Sequence, residues 1–400
     1  MSTESRALEA SEPLRILLAH SFYRIPGGED RYVRRQLQLL SETHIVELLE
    51  ARNEQLSDSV GTATRMIYSP MRAREATSVI TRFAPDIVHL HNVYPSFGPA
   101  VHLAAARVGA PLVMTVHNYR LRCPNGLRFT EGSLCGRCER GNYLQALVHD
   151  CLPTRKQGLS YAGSLWLHRF VARLEKRVAL FICPSEFVRT QCVDWGLPED
   201  RLLTIPHFVY PSPGSNPEPG VFGVYVGRLS REKGVDVLLR ALRLAGDPPF
   251  RIVGDGPVAG ELRSGAAKLG LKRTEFLGSL THDGVAETLR ESRFLVVPSV
   301  MNETAGLAGL EAMALGRPLL VTSLGALPEL VREGTGLICR PGDPADMAVS
   351  IVRLMEDEQY CREAGALGLS LTRDQLGPEA HLRRLESAYR SCLGLSAGES

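Results

Sequence analysis

Short apolar runs that alternate with glycine turns and helical patterns restrict the fold of this chain more than any other feature. The run at residues 14–19 leads into Pro26-Gly27-Gly28 and then into a pattern with apolar residues at helical spacing. Similar buried-strand runs follow at residues 45–49, 87–90 and 112–116, with helical stretches such as 101–108 between them. Alternation of this kind predicts a parallel, doubly wound α/β sheet.

A segment dense in proline and glycine, residues 211–220, interrupts this pattern, since neither a helix nor a central strand tolerates it. The alternation then restarts, with strand runs at 221–226, 250–253, 294–297 and 319–321 and helices at 235–244 and 310–315. We therefore expect a first Rossmann-like domain over 1–210, a linker over 211–220 and a second domain over 221–375. We expect residues 376–400 to form a helix that packs back on the first domain. Two such domains facing each other would hold a ligand in the cleft between them, at the carboxyl ends of the strands.

Composition excludes several classes of function. Among 400 residues, 46 Lys and Arg balance 44 Asp and Glu, so the net charge is only +2 and no basic coat for nucleic acid exists. The opening residues are polar and acidic, and no apolar run reaches the ~18 residues that a membrane span requires. Nine scattered cysteines do not suit a disulfide framework. These features predict a cytoplasmic protein.

Two cations follow the first strand of the second domain. Arg228 and Lys233 lie in Gly227-Arg228-Leu229-Ser230-Arg231-Glu232-Lys233-Gly234, just before a helix. Such a loop is able to bind a diphosphate, through the guanidinium fork of Arg228 and the point charge of Lys233. A solvated basic turn is the alternative interpretation of this segment.

A second candidate anion site follows the strand that ends at 297. Small residues from Ala305 lead into a helix, and the backbone N–H groups at Gly306 and Leu307 would be available to a phosphate. Glu303 in the loop is able to accept hydrogen bonds from sugar hydroxyls, and Glu311 in the helix is able to reach a ribose. An exposed position on the helix surface is the alternative for Glu311.

These motifs resemble those of the retaining GT-B glycosyltransferases of family 4. The resemblance rests on Glu303 and Glu311, on the alanine-methionine helix at 312–314 and the Gly316-Arg317-Pro318 that follows it, on residues 227–234, and on Gly254-Asp255-Gly256-Pro257. It spans roughly residues 14 to 385. At three positions this sequence departs from the usual residues of the family. Ala305 stands in place of an aromatic residue, Ala326 in place of a glycine and Asp30 in place of a glutamate. These differences bear on the identity of the sugar and the acceptor more than on the type of reaction.

The resemblance implies a hexosyltransferase with the GT-B fold, for which UDP- or GDP-sugars are the expected donors. It implies that Arg228 and Lys233 bind the donor diphosphate, Glu311 the ribose and Glu303 the sugar. It also places His117 near the reacting sugar and Gly28 in a turn that approaches a ligand. The implied site consists of catalytic residues Glu303, His117, Arg228 and Lys233, and donor-binding residues Gly28, Arg228, Lys233, Gly254, Gly306, Leu307 and Glu311.

The expected reaction transfers a sugar to a hydroxyl acceptor, such as a polysaccharide, a lipid-linked or a small-molecule acceptor, with retention of configuration. The sequence contains no Asp-x-Asp, the motif by which many glycosyltransferases hold a metal, so no catalytic cofactor is expected and the cations must stabilise the leaving group. A nucleotide-sugar epimerase on the same fold is one alternative function. A non-catalytic module that binds nucleotide and zinc is the other.

Four cysteines lie in a polar insert over residues 123–151: Cys123, Cys135, Cys138 and Cys151. Four thiolates in a loop with few apolar residues suggest a structural zinc site, and a subgroup of family 4 is similar here. Buried thiols and two disulfides are the alternatives.

Residues 166–178 combine apolar and basic side chains in a pattern typical of one amphipathic helix. Packing against the first core is the favoured interpretation of this helix, and peripheral contact with a membrane is the alternative.

Overall fold

The computed structural model describes residues 12–23, 27–52, 67–210, 215, 218–331 and 334–395. The polar opening residues and most of the predicted linker lie outside this range. The chain divides into two compact units. The first contains residues 1–126, 136–205 and 382–400, and the second contains 127–135 and 206–381.

The first unit is built on a parallel six-stranded sheet with strand order β2-β1-β3-β4-β7-β8. Its strands are β1 (Arg15–Phe22), β2 (Ile45–Arg52), β3 (Ile87–Leu90), β4 (Leu112–Thr115), β7 (Val178–Cys183) and β8 (Leu202–Thr204). Its helices are α1 (Gly28–Leu40), α2 (Pro70–Phe83), α3 (Ala100–Val108), α4 (Gln145–Val148), α5 (Arg155–Trp166) and α6 (Glu186–Asp194).

The second unit contains another parallel six-stranded sheet, with order β11-β10-β9-β12-β13-β14. Its strands are β9 (Phe222–Val226), β10 (Phe250–Val253), β11 (Thr274–Gly278), β12 (Ser292–Val297), β13 (Leu319–Thr322) and β14 (Gly336–Cys339). Its helices are α7 (Val235–Leu244), α8 (Ala259–Lys268), α9 (His282–Glu291), α10 (Leu307–Met313), α11 (Leu327–Leu330), α12 (Pro344–Glu356) and α13 (Glu358–Asp374). A short hairpin of β5 (Phe129–Thr130) and β6 (Ser133–Leu134) is grouped with it. The prediction of two parallel-sheet α/β domains is confirmed.

The last helix, α14 (Pro378–Cys392), begins in the second unit and ends in the first. Its Leu385, Ala388 and Tyr389 are buried in the core around β1 and β3, together with Leu14 and Ile87. The division at residue 205 lies before the predicted linker, and the returning segment begins at 382 rather than 376. The sequence did not indicate that residues 127–135 would group with the second unit.

The prediction of one amphipathic helix over 166–178 is wrong. Helix α5 begins at Arg155, where the Thr154 hydroxyl accepts a hydrogen bond from the Gln157 N–H, and it ends at Trp166. A π-helical turn over Leu167–Val171 follows, and Arg173 then adopts a left-handed conformation with φ of 47°. That conformation stops a helix, and the β-branched and aromatic residues from Val178 onward form β7.

Two buried histidines, one in each unit, should make the fold sensitive to acid. Burial lowers the pKa of His102 and that of His207, each to about 3. Since the unfolded side chains titrate near ~6.5, their contribution to stability is complete above that pH and is lost as the pH falls toward 3. We expect a loss of about 1.4 kcal/mol per pH unit for each histidine within this window. Urea unfolding between pH 7.5 and 5 tests this, because His102→Gln should flatten the slope; an unchanged slope would contradict the assignment.

Candidate functional site

The carboxyl ends of four neighbouring strands of the second unit meet at one edge of its sheet. Loops 227–234, 254–258, 298–306 and 323–326 follow β9, β10, β12 and β13 at this edge. In parallel α/β sheets this edge is where ligands bind, because the loops there are free to vary while the strands hold them in position. The cations and carboxylates predicted for the second domain lie in or next to these loops.

Two glycines let these loops pack backbone to backbone. Gly254 has φ of +132°, and a Cβ at this position would lie 1.9 Å from the carbonyl oxygen of Gly227. Gly234 has φ of +67°, and a Cβ there would lie 2.1 Å from the carbonyl oxygen of Pro298. Any larger residue would push the loops apart. The predicted Gly254 therefore supports the site through loop packing.

Lys233 and Glu303 form the central ion pair of this edge. Lys233 Nζ lies 2.6 Å from Glu303 Oε1, and the Ser299 hydroxyl donates to the same oxygen at 2.5 Å. The Lys233 side chain is 27% exposed and that of Glu303 14% exposed, so the pair is shielded but reachable from solvent. An ammonium has three donors, so Lys233 keeps hydrogen-bonding capacity beyond Glu303.

The electrostatics of this pair keep Glu303 ionised. Burial by itself raises the pKa of Glu303, but the charge of Lys233 and the hydrogen bonds from Lys233 and Ser299 outweigh burial. The net effect lowers the pKa below its ordinary value. At neutral pH, Glu303 is thus a carboxylate that accepts hydrogen bonds.

The backbone of Glu303 is also fixed. Glu303 forms a parallel bridge with Gly325, and the Ala326 N–H donates to the Glu303 carbonyl at 2.8 Å. Gly325 has φ of +62°, and a Cβ there would lie 2.3 Å from the same carbonyl oxygen. Ala326 has φ of −80°, which any residue adopts, so the second glycine of the family motif is dispensable here.

The other predicted residues of the second unit lie in the same loops or at the helix that follows them. Arg228 is the second residue after β9; its side chain is exposed, and the Tyr225 hydroxyl donates to its carbonyl at 2.8 Å. Gly306, with φ of +66°, is the N-cap of α10, and Leu307 is the first residue of that helix. Glu311 lies half-buried on the same helix. No side-chain hydrogen bond caps the start of α10, as the prediction of accessible N–H groups requires.

His117 lies in the first unit, just beyond β4. Its Nε2 lies 2.8 Å from Nδ1 of His91, which follows β3, and its ring centroid lies 5.4 Å from that of Tyr32 on α1. His91 was missed by the sequence reasoning, although a polar residue beyond the end of the neighbouring strand was a usable signal. Gly28 is the first residue of α1, after the N-cap Gly27.

A buried polar cluster next to Gly28 was also missed. Asp30 Oδ1 lies 2.8 Å from Nε2 of His20, and its carboxylate accepts hydrogen bonds from the N–H groups of Gly27 and Tyr23. Glu29 accepts a hydrogen bond from the Tyr23 hydroxyl at 3.0 Å, and burial raises the pKa of Glu29 above its ordinary value. Asp30, noted in the sequence only as a departure, therefore caps α1 and links it to His20 of β1.

The cysteine insert does not pack by itself but against the neighbouring helix α5. Cys138 and Tyr143 are buried against Ala162 and Leu165 of α5. Within the part of the chain that the structure describes, no group of three or more His, Cys, Asp or Glu is arranged to hold a metal ion. Zinc bound by Cys123, Cys135, Cys138 and Cys151 stays a prediction, which metal analysis of the purified protein under reducing conditions tests.

None of the described helices is both long and apolar enough to cross a membrane.

Comparison with known protein families assigns both halves of the chain. Residues 26–212 match the family described as Glycosyltransferase Family 4, and residues 222–357 match Glycosyl transferases group 1. The chain carries two glycosyltransferase domains. The coarser part of the predicted resemblance is thereby confirmed.

The curated relatives match part of these glycosyltransferase domains. A glycosyltransferase of Methanocaldococcus jannaschii is 32% identical over 188 residues, which is 47% of this chain and 52% of that protein. The N-acetyl-alpha-D-glucosaminyl L-malate synthase of Bacillus anthracis is 33% identical over 37% of this chain and 38% of its own length. The chain thus spans about half the length, or less, of the curated relatives it matches.

Solved structures resemble almost the whole chain. Anabaena HepE in complex with UDP and glucose has a TM-score of 0.66 at 18% identity and covers 94% of this chain and 100% of its own. Sucrose-phosphate synthase from Thermosynechococcus elongatus has a TM-score of 0.70 at 17% identity and covers 95% and 99%. At these identities the likeness shows the fold, so the GT-B class predicted from the sequence is confirmed.

Proposed function

We propose that this protein transfers a hexose from a nucleoside diphosphate sugar to a hydroxyl acceptor. The observation that carries the proposal is the Lys233–Glu303 ion pair at the carboxyl ends of β9 and β12, with Arg228 exposed at the end of β9. Cations suit the diphosphate of a donor, and an ionised carboxylate suits sugar hydroxyls. The N-acetyl-alpha-D-glucosaminyl L-malate synthase among the relatives and the UDP bound in the HepE structure support the same class of donor.

The chemistry assigned to these residues is stabilisation of the leaving group. Breaking the bond between the anomeric carbon and the diphosphate oxygen leaves negative charge on the diphosphate and positive charge on the sugar. Arg228 and Lys233 stabilise the first charge, and the Glu303 carboxylate orients the sugar through its hydroxyls. The acceptor oxygen bonds to the anomeric carbon on the face that the diphosphate leaves, and its proton passes to the departing diphosphate. Configuration is therefore retained.

His117 and Gly28 are proposed to serve the same reaction from the first domain. The contact between His117 Nε2 and His91 Nδ1 fixes the orientation of the His117 ring, which favours a role in positioning a sugar hydroxyl. Glu311 is proposed to hold the ribose, and the N–H groups at the start of α10 a phosphate oxygen. The acceptor is a polysaccharide, a lipid-linked sugar or a small molecule. Donor hydrolysis that is lost in Glu311→Ala would support an enzyme; nucleotide binding without turnover would favour a binding module.

Metal independence gives the first test of this chemistry. Because the positive charges of Arg228 and Lys233 stabilise the negative charge of the departing diphosphate, no metal ion is needed. Transfer should therefore proceed in the presence of EDTA at nearly the rate found in its absence. The initial rate is measured with and without EDTA, after the acceptor has been found by screening. A strict requirement for added magnesium or manganese would contradict the proposed role of the two cations.

Stereochemistry gives the second test. The anomeric configuration of the product should equal that of the donor, since attack and departure occur on one face. Proton NMR of the product measures this through the coupling of the anomeric proton. An inverted centre would exclude the same-face mechanism.

A further inference from the structure

Helix α5 exposes an apolar face that the core of the first unit does not use. Ala162 and Leu165 on one side of the helix are buried with Cys138 and Tyr143. On the other side, Leu159 is 59% exposed and Trp166 is 49% exposed. Exposed aromatic and aliphatic residues contribute nothing to folding, so this second apolar side needs another explanation.

The exposed residues form one continuous stripe. Leu159, Gly163, Trp166 and Phe170 follow each other at intervals of four, three and four, which places them on one face of a helix. The rings of Trp166 and Phe170 have centroids 6.0 Å apart, so the stripe continues through the π-helical turn. A Cβ at Gly163 would meet no atom within 4 Å, which shows that the middle of the stripe is open.

Helix α4 packs beside α5 and has exposed apolar residues of its own. Leu147 of α4 packs at Gly158, since a Cβ on Gly158 would lie 3.0 Å from a methyl group of Leu147. Leu144 and Val148, on either side of Leu147, are 60% and 68% exposed. We call the surface formed by Leu144, Val148, Leu159, Trp166, Phe170 and Val171 the Trp166 face; each of these six side chains is an exposed large apolar residue.

Positive charge flanks the Trp166 face. Between residues 137 and 177 the sequence has eight Lys and Arg against three Asp and Glu, in a chain whose net charge is only +2. Arg155 and Lys156 lie one turn before Leu159, and Arg173 lies three residues after Phe170; all three are exposed. The Arg169 guanidinium lies 5.0 Å from the centre of the Phe170 ring. Among the acids, Glu175 binds the buried Arg122, and Asp150 lies 3.6 Å from Arg155.

We propose that the Trp166 face docks on a membrane surface that contains anionic lipids. An apolar stripe with Trp and Phe enters the boundary between headgroups and acyl chains, while flanking Lys and Arg bind anionic headgroups. Each cation near such a surface contributes about 1 kcal/mol. A second copy of this positively charged surface would be repelled by the same charges, which favours a lipid surface over self-association.

The two tryptophans provide a direct readout. Trp195 is 7% exposed and Trp166 is 49% exposed, so a change in emission on docking comes mainly from Trp166. Adding vesicles of phosphatidylcholine with 30% phosphatidylglycerol, about a third anionic lipid, to the full chain should shift the emission to shorter wavelength. Vesicles of phosphatidylcholine alone should produce little shift, and high salt should reverse the shift because it screens the headgroups. In Trp166→Phe the shift should disappear while the protein still sediments with the vesicles.

Matched variants distinguish vesicle binding through the Trp166 face from binding that depends only on the overall charge and hydrophobicity of the protein. Trp166→Ser with Phe170→Ser, and Arg155→Glu with Lys156→Glu, should each reduce the fraction that sediments with anionic vesicles by about tenfold. The controls are Leu244→Ser with Val349→Ser and Lys268→Glu with Lys272→Glu, which change equally exposed residue types in the second unit and should leave sedimentation unchanged.

Three results would overturn the proposal: no binding to anionic vesicles, equal loss in the control variants, or a dimer in sedimentation velocity that the Trp166→Ser, Phe170→Ser variant converts to monomer. The last would assign the face to a second copy. The assay contains no donor or acceptor, so its outcome is independent of the proposed transfer reaction.

Discussion

Lys233→Ala is expected to lower kcat/KM for sugar transfer by about a hundredfold to a thousandfold, which corresponds to about 2.7 to 4 kcal/mol of lost transition-state stabilisation. The reason is that the ammonium pairs with Glu303 and has further hydrogen-bond donors, which the proposal assigns to the donor diphosphate. Arg228→Ala should cause a loss of similar size. Donor turnover at fixed acceptor concentration measures both.

The matched control for this prediction is Lys268→Ala. Lys268 is an exposed lysine at the end of α8 in the same unit, and its removal changes the net charge equally without touching the site. Full activity in Lys233→Ala, or an equal loss in Lys268→Ala, would contradict the role assigned to Lys233.

Arg122→Met is expected to reduce the free energy of unfolding of the first unit by about 3 kcal/mol. Arg122 is 1% exposed and donates to both carboxylate oxygens of Glu175 and to the carbonyl of Trp195. Its guanidinium also lies 5.6 Å from the centre of the Trp195 ring. Removing the cation leaves a carboxylate that is only 21% exposed without its partner, and leaving an uncompensated charge is costly.

Arg240→Met is the control for this second prediction. Arg240 pairs with Asp236 on the surface of α7, where both side chains are at least half exposed, so its loss should cost less than about 0.5 kcal/mol. Urea unfolding followed by circular dichroism compares the two variants. Equal destabilisation would show that Arg122 contributes no more than a surface ion pair.

The elements with clear periodicity could be predicted from the sequence. The runs at 222–226, 250–253 and 319–322 are strands, because parallel strands covered on both faces are largely apolar; Arg251 is their one charged residue. By contrast, β11 alternates between half-buried and exposed residues at the sheet edge and contains Glu275 and Gly278, so it carried no such signal. The break after Trp166 depended on the left-handed conformation of Arg173, which no residue pattern marks.

The candidate site could be predicted where a motif places charge at a strand end. Lys233 and Glu303 lie 70 residues apart, and the spacing around each was enough to assign both to one edge. Ser299, His91 and Glu29 were not predicted, because their roles depend on which loops meet in space. The packing of the insert was not predicted either, because it uses Ala162 and Leu165, which lie outside the cysteine segment.

Binding of nucleoside diphosphates to wild-type protein and to Lys233→Ala, measured by isothermal titration calorimetry with UDP, GDP, ADP and dTDP, tests the central claim most directly. The account predicts that at least one diphosphate binds the wild type, that Lys233→Ala weakens this binding by at least about tenfold, and that Lys268→Ala leaves it unchanged. Binding of none of the four, or equal affinity in wild type and Lys233→Ala, would contradict a donor site at this edge.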